Sequence, residues 1–218
     1  MRHRLRCRRQ AARAAPAQPS EMTGRHDRIH SETASDLISV EAVAIATLLG
    51  ELVGQVVDVW ANAHGLGRAS ATRREFGGDR VPRHARREGF RFLGAFEPRA
   101  RLVGFVYGYT GAPGQWWYDK VAAALDETSR AEWLEREHFE LTELAVEPAF
   151  QGRGIGSRLH DAVLEGLPHD RALLSALAEN ARVIRFYEQR GWRVLLPELR
   201  FEAGRPLFAI LGRELSRG

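Results

Sequence analysis

The stretch that most constrains this chain is 138–163, HFELTELAVEPAFQGRGIGSRLHDAV. Its first nine residues have strand composition and are stopped by Pro148. Glycines then stand at 152, 154 and 156, and a glycine-rich turn running into an amphipathic helix is expected over 152–166. A strand, a bare turn and a helix make an anion site, because the first N–H groups of a helix have no intrahelical partner and the helix dipole favours negative charge there. Phosphate is the obvious guest. Glycine suits such a turn because a Cβ would hold a pyrophosphate away from the backbone N–H groups, and because turn residues often need positive φ. A tight turn that packs the helix close to the strand would explain the same glycines.

Spacing narrows the guest. A Rossmann fingerprint requires G-x-G-x-x-G early in a βαβ unit with an acidic residue about 20 positions on. Here the glycines run G-R-G-I-G in the second half of the chain. A Walker A loop is excluded, because the single lysine, Lys120, follows an aspartate and lies in no glycine loop.

The rest of the chain supplies a sheet for this motif. Strands are expected at 37–43, 90–96, 101–110, 138–146 and 171–178, and in WRVLLPELRF and RPLFAILGREL; EPRA joins the second and third as a hairpin. Ile45, Leu48, Leu49, Leu52, Val53, Val56 and Trp60 have helical spacing, ending near 62–65, and the Arg-rich segment 68–89 is read as a second helix. GAPGQWW reads as a loop, 118–137 as an inserted helix, and 180–190 as a helix closed by Gly191. This order predicts an α/β (α+β) fold, a mixed sheet with helices on both faces.

At 218 residues and 44% hydrophobic content the chain fits one domain with a tail. No apolar stretch approaches the roughly 18 residues of a membrane span; the most hydrophobic, Ala42–Trp60, is broken by Glu51, Gln55 and Asp58. The lone cysteine, Cys7, makes no internal disulfide, so a cytoplasmic location is expected. The net charge of +4 sits in the tail: residues 1–28 hold eight arginines against Glu21 and Asp27, a net of +6, which leaves −2 for the remainder. The tail has no apolar h-region and is no secretory signal. It reads either as a disordered arm that meets polyanions or as an extension ahead of a start at Met22. With one lysine among 32 basic residues, the arginine content looks like coding bias and gives no single arginine special meaning.

The turn resembles the acetyl-coenzyme A motif of the GNAT acyltransferases, Q/R-x-x-G-x-G/A, here Gln151-Gly152-Arg153-Gly154-Ile155-Gly156. ELTELAVEP stands where that family has its preceding strand. NARVIRFYEQRGW (180–192) matches its second half-motif, with an asparagine, a tyrosine seven residues later and a closing Gly-aromatic pair. The resemblance covers about 37–215 and is strong over 138–192. It implies a GNAT fold, with a mixed, mostly antiparallel central sheet of about six to seven strands, in a domain over 36–218 behind a disordered Arg/Ala-rich tail, 1–35. It also implies acetyl transfer from acetyl-CoA to a primary amine of a small molecule or peptide, by direct attack in a ternary complex.

Carried over by position, the backbone of Leu144, Ala145 and Val146 would pair with the pantetheine amides, with the Val146 N–H facing the thioester oxygen. Gln151, Gly152, Arg153, Gly154, Ile155, Gly156 and Ser157 would hold the pyrophosphate. Tyr187 would protonate the departing thiolate, and Asn180 would bond the cofactor or cap its helix. Without the resemblance, Tyr187 reads as a half-buried core aromatic on the Val183–Phe186 face. For the base, family positions fall on Glu140 and Thr142, and strand alternation puts both on one face. Glu143 is the second choice, since it falls on the opposite face unless a bulge turns it. Another family base position is occupied here by Ser175. Trp116, Trp117 and Tyr118 would wall an acceptor pocket, with Thr142 beside them, or would pack the insertion on the sheet. No metal is expected: HDRIH has an i,i+4 histidine pair but sits in the tail. A homodimer is allowed for, and neither a membrane nor a nucleic acid is expected as partner. The alternative from another class is an acyl-CoA sensor without turnover whose basic arm contacts nucleic acid. A protein-modifying acetyltransferase lies between the two.

Overall fold

Seven strands form one sheet in the order β1-β2-β3-β4-β5-β7-β6. They are β1 (Ser39–Ala42), β2 (Arg91–Phe96), β3 (Leu102–Thr110), β4 (His138–Val146), β5 (Arg171–Leu177), β6 (Arg193–Leu199) and β7 (Phe208–Glu214). The structure, a computed structural model, describes residues 37–216. The expectations for the tail over 1–35, Met22, Cys7 and the 26–30 histidines lie outside the described residues. Every neighbouring pair is antiparallel except β4–β5. That parallel step requires a crossover, and α7 (Ile155–Leu164) supplies it.

The first helical arm runs continuously through α1 (Ile45–Thr47), a π-helical turn at Leu48–Leu52 and α2 (Val53–Ala63). The second runs through α3 (Ala71–Glu75), a π-helical turn at Phe76–Arg80 and α4 (Val81–His84). The insertion differs from its sequence reading. The helix begins earlier, as α5 (Trp116–Ala124), and breaks at Leu125, after which α6 (Glu127–Ser129) continues into a π-helical turn at Arg130–Leu134. The break has a local cause: Asp126 caps the new helix, its carboxylate accepting from the Ser129 N–H at 2.9 Å and from the Ser129 hydroxyl at 2.7 Å. α7 starts at Ile155, after the glycine turn, because Gly152 (φ 75°) and Gly154 (φ 77°) take left-handed conformations that end the turn. α8 (Ala181–Glu188) closes at Gly191 as the sequence predicts.

Helices cover both faces. On one, α7 and α8 bury Ile155, Leu159, Val163 and Tyr187 against residues of both β4 and β5, including Phe139, Leu141, Ala172 and Leu174. On the other there are two separate cores. α2 and the second arm pack Val56, Trp60, Phe76 and Val81 on β2 and β3, whereas α5 and the 130–134 turn pack Trp117, Val121, Trp133 and Leu134 on β5 and β7.

Candidate active site

The interval between those two cores is built by β4. Glu143 pairs with Tyr107 and Leu141 with Gly108, so Thr142 has no residue opposite it in β3 and forms a bulge. Before the bulge Phe139 and Leu141 point toward α7; after it Leu144 and Val146 do so, and Ala145 points to the α2 side. Strict alternation would put Glu143 opposite Glu140. The inserted residue brings both to the same face, where they line one cavity with Thr142.

β4 also parts from β5. Only His138, Phe139 and Glu140 pair with β5, opposite Arg171, Ala172 and Leu173. Beyond Glu140 that edge of β4 has no strand beside it among the described residues. The Glu147 N–H donates to the Val103 carbonyl of β3 at 2.9 Å. Successive N–H groups of an extended strand point to opposite edges, so the Val146 N–H and C=O face the open side. The Gln151 side chain donates there to the Val146 carbonyl at 3.0 Å. Next comes the glycine turn, with Gly154 as the N-cap of α7 and no side chain capping it. A Cβ on Gly152 or Gly154 would meet no protein atom within 4 Å. Glycine is therefore required there by backbone conformation, and the space beyond is open. Ile155 is buried in the core and offers only its backbone outward. The Ser157 hydroxyl accepts from Arg190, and the Arg153 guanidinium stands 5.2 Å from the Phe150 ring. An open strand edge continuing into uncapped helical N–H groups fits a chain of amides ending in a pyrophosphate.

The cavity beside the bulge measures about 900 Å³. Glu140, 3% exposed, lies at its floor, at the last β4–β5 pair. The Tyr109 hydroxyl donates to its Oε1 at 2.7 Å, while Oε2 has no partner among the described residues. Burial pushes the carboxyl up to about 7; the Tyr109 bond and the Arg87 charge pull the other way. Burial raises Glu143 too, against the pull of His64, whose Nε2 is 3.8 Å from Oε1, and of Arg80. His84, also in the lining, is pushed down to about 3 by burial and by Arg87, Arg83 and Arg80, so it is neutral. Trp116, half exposed, and Trp117 form a wall, and the Trp117 indole donates to Ser175 at 3.2 Å. Tyr118 turns away to stack on His138, with ring centres 5.9 Å apart.

Tyr187 does not line that cavity. It is buried on the α7 face among His160, Phe186 and Trp192, and burial together with the Glu143 charge holds its phenol well above the usual range. The Trp192 indole donates to His160 Nε2 at 2.9 Å, which leaves His160 Nδ1 to donate to Asp161. Asn180 caps α8, accepting from the Val183 N–H at 3.2 Å. Sequence reasoning missed Tyr109, Arg87 and His84. Tyr109 faces Glu140 from β3, a pairing the sequence does not give because residues 111–137 and a bulge separate the two strands' registers.

Among the described residues no three His, Cys, Asp or Glu side chains gather as for a metal, and no helix is long and apolar enough to cross a membrane. A mixed sheet parted at β4, with a glycine turn at the mouth of α7, defines an acyl-CoA acyltransferase fold. Residues 60–192 match the Acetyltransferase (GNAT) family, and the chain belongs to it. A GCN5-like protein acetyltransferase of Mycobacterium tuberculosis is 38% identical over 123 residues, 53% of this chain and 60% of that protein, so the chain spans less than two thirds of that relative. Two solved structures share the fold. PH1933 of Pyrococcus horikoshii has a TM-score of 0.58 at 19% identity, and a GNAT-family acetyltransferase of Staphylococcus aureus has 0.53 at 15%. Each alignment covers 82% of this chain and 99% of the other.

Proposed function

We propose that the chain moves the acetyl group of acetyl-CoA to a primary amine by direct attack, with Glu140 as the base. One observation carries this reading: a buried carboxylate with a free oxygen stands at the floor of the cavity, where the open edge of β4 begins. In this reading the domain spans 36–218 and the preceding residues are a tail. Bound acetyl-CoA supplies a thioester-activated acyl group. The backbone of Leu144, Ala145 and Val146 holds its amide arm, and Gln151 to Ser157 its pyrophosphate. The Val146 N–H donates to the carbonyl oxygen as negative charge develops there. As the amine nitrogen bonds to the acyl carbon and the carbon–sulfur bond breaks, Glu140 takes the amine proton, directly or through one water. A group that titrates near 7 is well matched to this task at neutral pH. Tyr187, kept protonated by burial, gives a proton or hydrogen bond to the departing sulfur. Glu143 holds negative potential beside the amine and is the reserve base. Trp116, Trp117 and Thr142 wall the acceptor, and Asn180 keeps α8 in place.

A sensor without turnover has no use for a buried, half-bonded carboxylate. The test is a screen of amines, peptides and lysine-bearing proteins with free-thiol readout, next to thermal shifts with acetyl-CoA, ATP and NAD. The expected result is thiol release with at least one amine class, and stabilisation by acetyl-CoA alone. Stabilisation by ATP with no response to acetyl-CoA would overturn the proposal.

A further inference from the structure

Four arginines line the 900 Å³ cavity: Arg80, Arg83, Arg87 and Arg205. Three have carboxylates of their own. Arg80 pairs with Glu75, Arg83 with Asp79 and Arg205 with Glu202. Arg87 has none among the described residues. Its one side-chain hydrogen bond there runs from Nη1 to Gln115 Oε1 at 3.3 Å, and Gln115 is itself held by donating to the Thr110 carbonyl at 3.1 Å. The guanidinium lies over the Tyr109 ring, 4.3 Å from its centre. Arg87 is thus a half-buried cation, held by Gln115 and the Tyr109 ring, whose remaining guanidinium donors have no acceptor among the described residues. A planar guanidinium fixed in this way is suited to a carboxylate.

We infer that the amine accepted in this cavity also carries a carboxylate, and that Arg87 binds it. The inference rests on the acyl-transfer reading above. Tyr109 links the two poles, since one side of its ring carries Arg87 and its hydroxyl is 2.7 Å from Glu140. The cationic and anionic ends of the acceptor are then one tyrosine side chain apart, which selects a compact amino carboxylate over a polyamine. Arg87 is a specificity residue; Glu140 receives the proton.

The experiment compares β-alanine with β-alaninamide, and γ-aminobutyrate with γ-aminobutyramide, as acceptors for the full chain with acetyl-CoA. Each pair differs in charge but hardly in size. The carboxylates should show about 10- to 100-fold higher kcat/KM, mostly through KM. Arg87→Ala should erase that preference by raising KM for the carboxylates, while the lost pull of its charge on Glu140 changes kcat for carboxylate and amide alike and so leaves their ratio untouched, and Arg87→Lys should keep part of the preference. Calorimetry of β-alanine binding in the presence of coenzyme A, which needs no turnover, should weaken by a similar factor in Arg87→Ala. Arg87-dependent binding without thiol release from any amine would sink the acyl-transfer reading and leave the anion site standing. Amides used as well as carboxylates, or a carboxylate preference that survives in Arg87→Ala, would overturn the inference and leave acyl transfer intact. Absence of both binding and thiol release in either pair also overturns it.

Discussion

Glu140 is kept where a carboxylate is costly, and the cost has a pH signature. Its folded pKa, about 7, is above the ordinary 4.5. Between those values the folded protein holds a proton that the unfolded chain releases, so stability falls as pH rises through that window and the full penalty is present above it. A shift of this size corresponds to roughly 3 kcal/mol. The groups facing the carboxyl are the Tyr109 hydroxyl and the Arg87 charge; both lower the pKa, and burial outweighs them. Glu140→Gln is therefore expected to raise the melting temperature at pH 8 and to leave it nearly unchanged at pH 4. The same substitution should lower acyl transfer by about 10²–10⁴, the usual worth of a positioned base, with much of the loss recovered at high pH where the amine deprotonates unaided. Calorimetric scans at the two pH values and a pH–rate profile read both effects. A variant as active as wild type, or one no more stable at pH 8, would remove Glu140 from the role given to it.

At the scale of elements, the site depends on two departures from regularity. One is the glycine turn. Gly154→Val places a β-branched residue at φ 77°, which costs about 1–2 kcal/mol, with no protein atom within 4 Å of its Cβ. The variant should fold with a modestly lower melting temperature yet lose acetyl-CoA binding, because the side chain stands over the N–H groups of α7. Normal binding by a folded variant would make the turn purely structural. The other departure is the bulge at Thr142. The turn was legible because its glycines mark it; the bulged stretch of β4 carries neither glycine nor proline, and the glycine at the bulge, Gly108, stands on β3. Its trace is a slip in spacing, with apolar residues at 139 and 141 and then at 144 and 146, and a reading by strict alternation passes over it. The break in the inserted helix was hidden for a related reason: Asp126 and Ser129 form a cap inside a segment whose overall composition favours helix.

Across the whole molecule, the two faces of the sheet do different work. The α7 face is one continuous core that joins β2, β3 and β4 to β5 and β7. The opposite face is split into two cores at the same seam where β4 leaves β5. Element order sufficed to foresee a mixed sheet with helices on both sides. The seam was not legible, because where a parallel pair stops pairing depends on long-range packing and not on the composition of either strand. The α7 core thus holds the two halves of the sheet together, and the seam can stay open without loss of fold. Acetyl-CoA laid along β4 should close it from one side, and amide exchange will report this residue by residue. In the free protein the Glu147 N–H, bonded to Val103, should exchange slowly and the Val146 N–H, on the open edge, faster. Added at 100 times its Kd, acetyl-CoA should slow Val146 up to about 100-fold, and ATP should not. If Val146 exchanges no faster than Glu147, or acetyl-CoA leaves it unchanged, the open edge of β4 is not the acyl-CoA site.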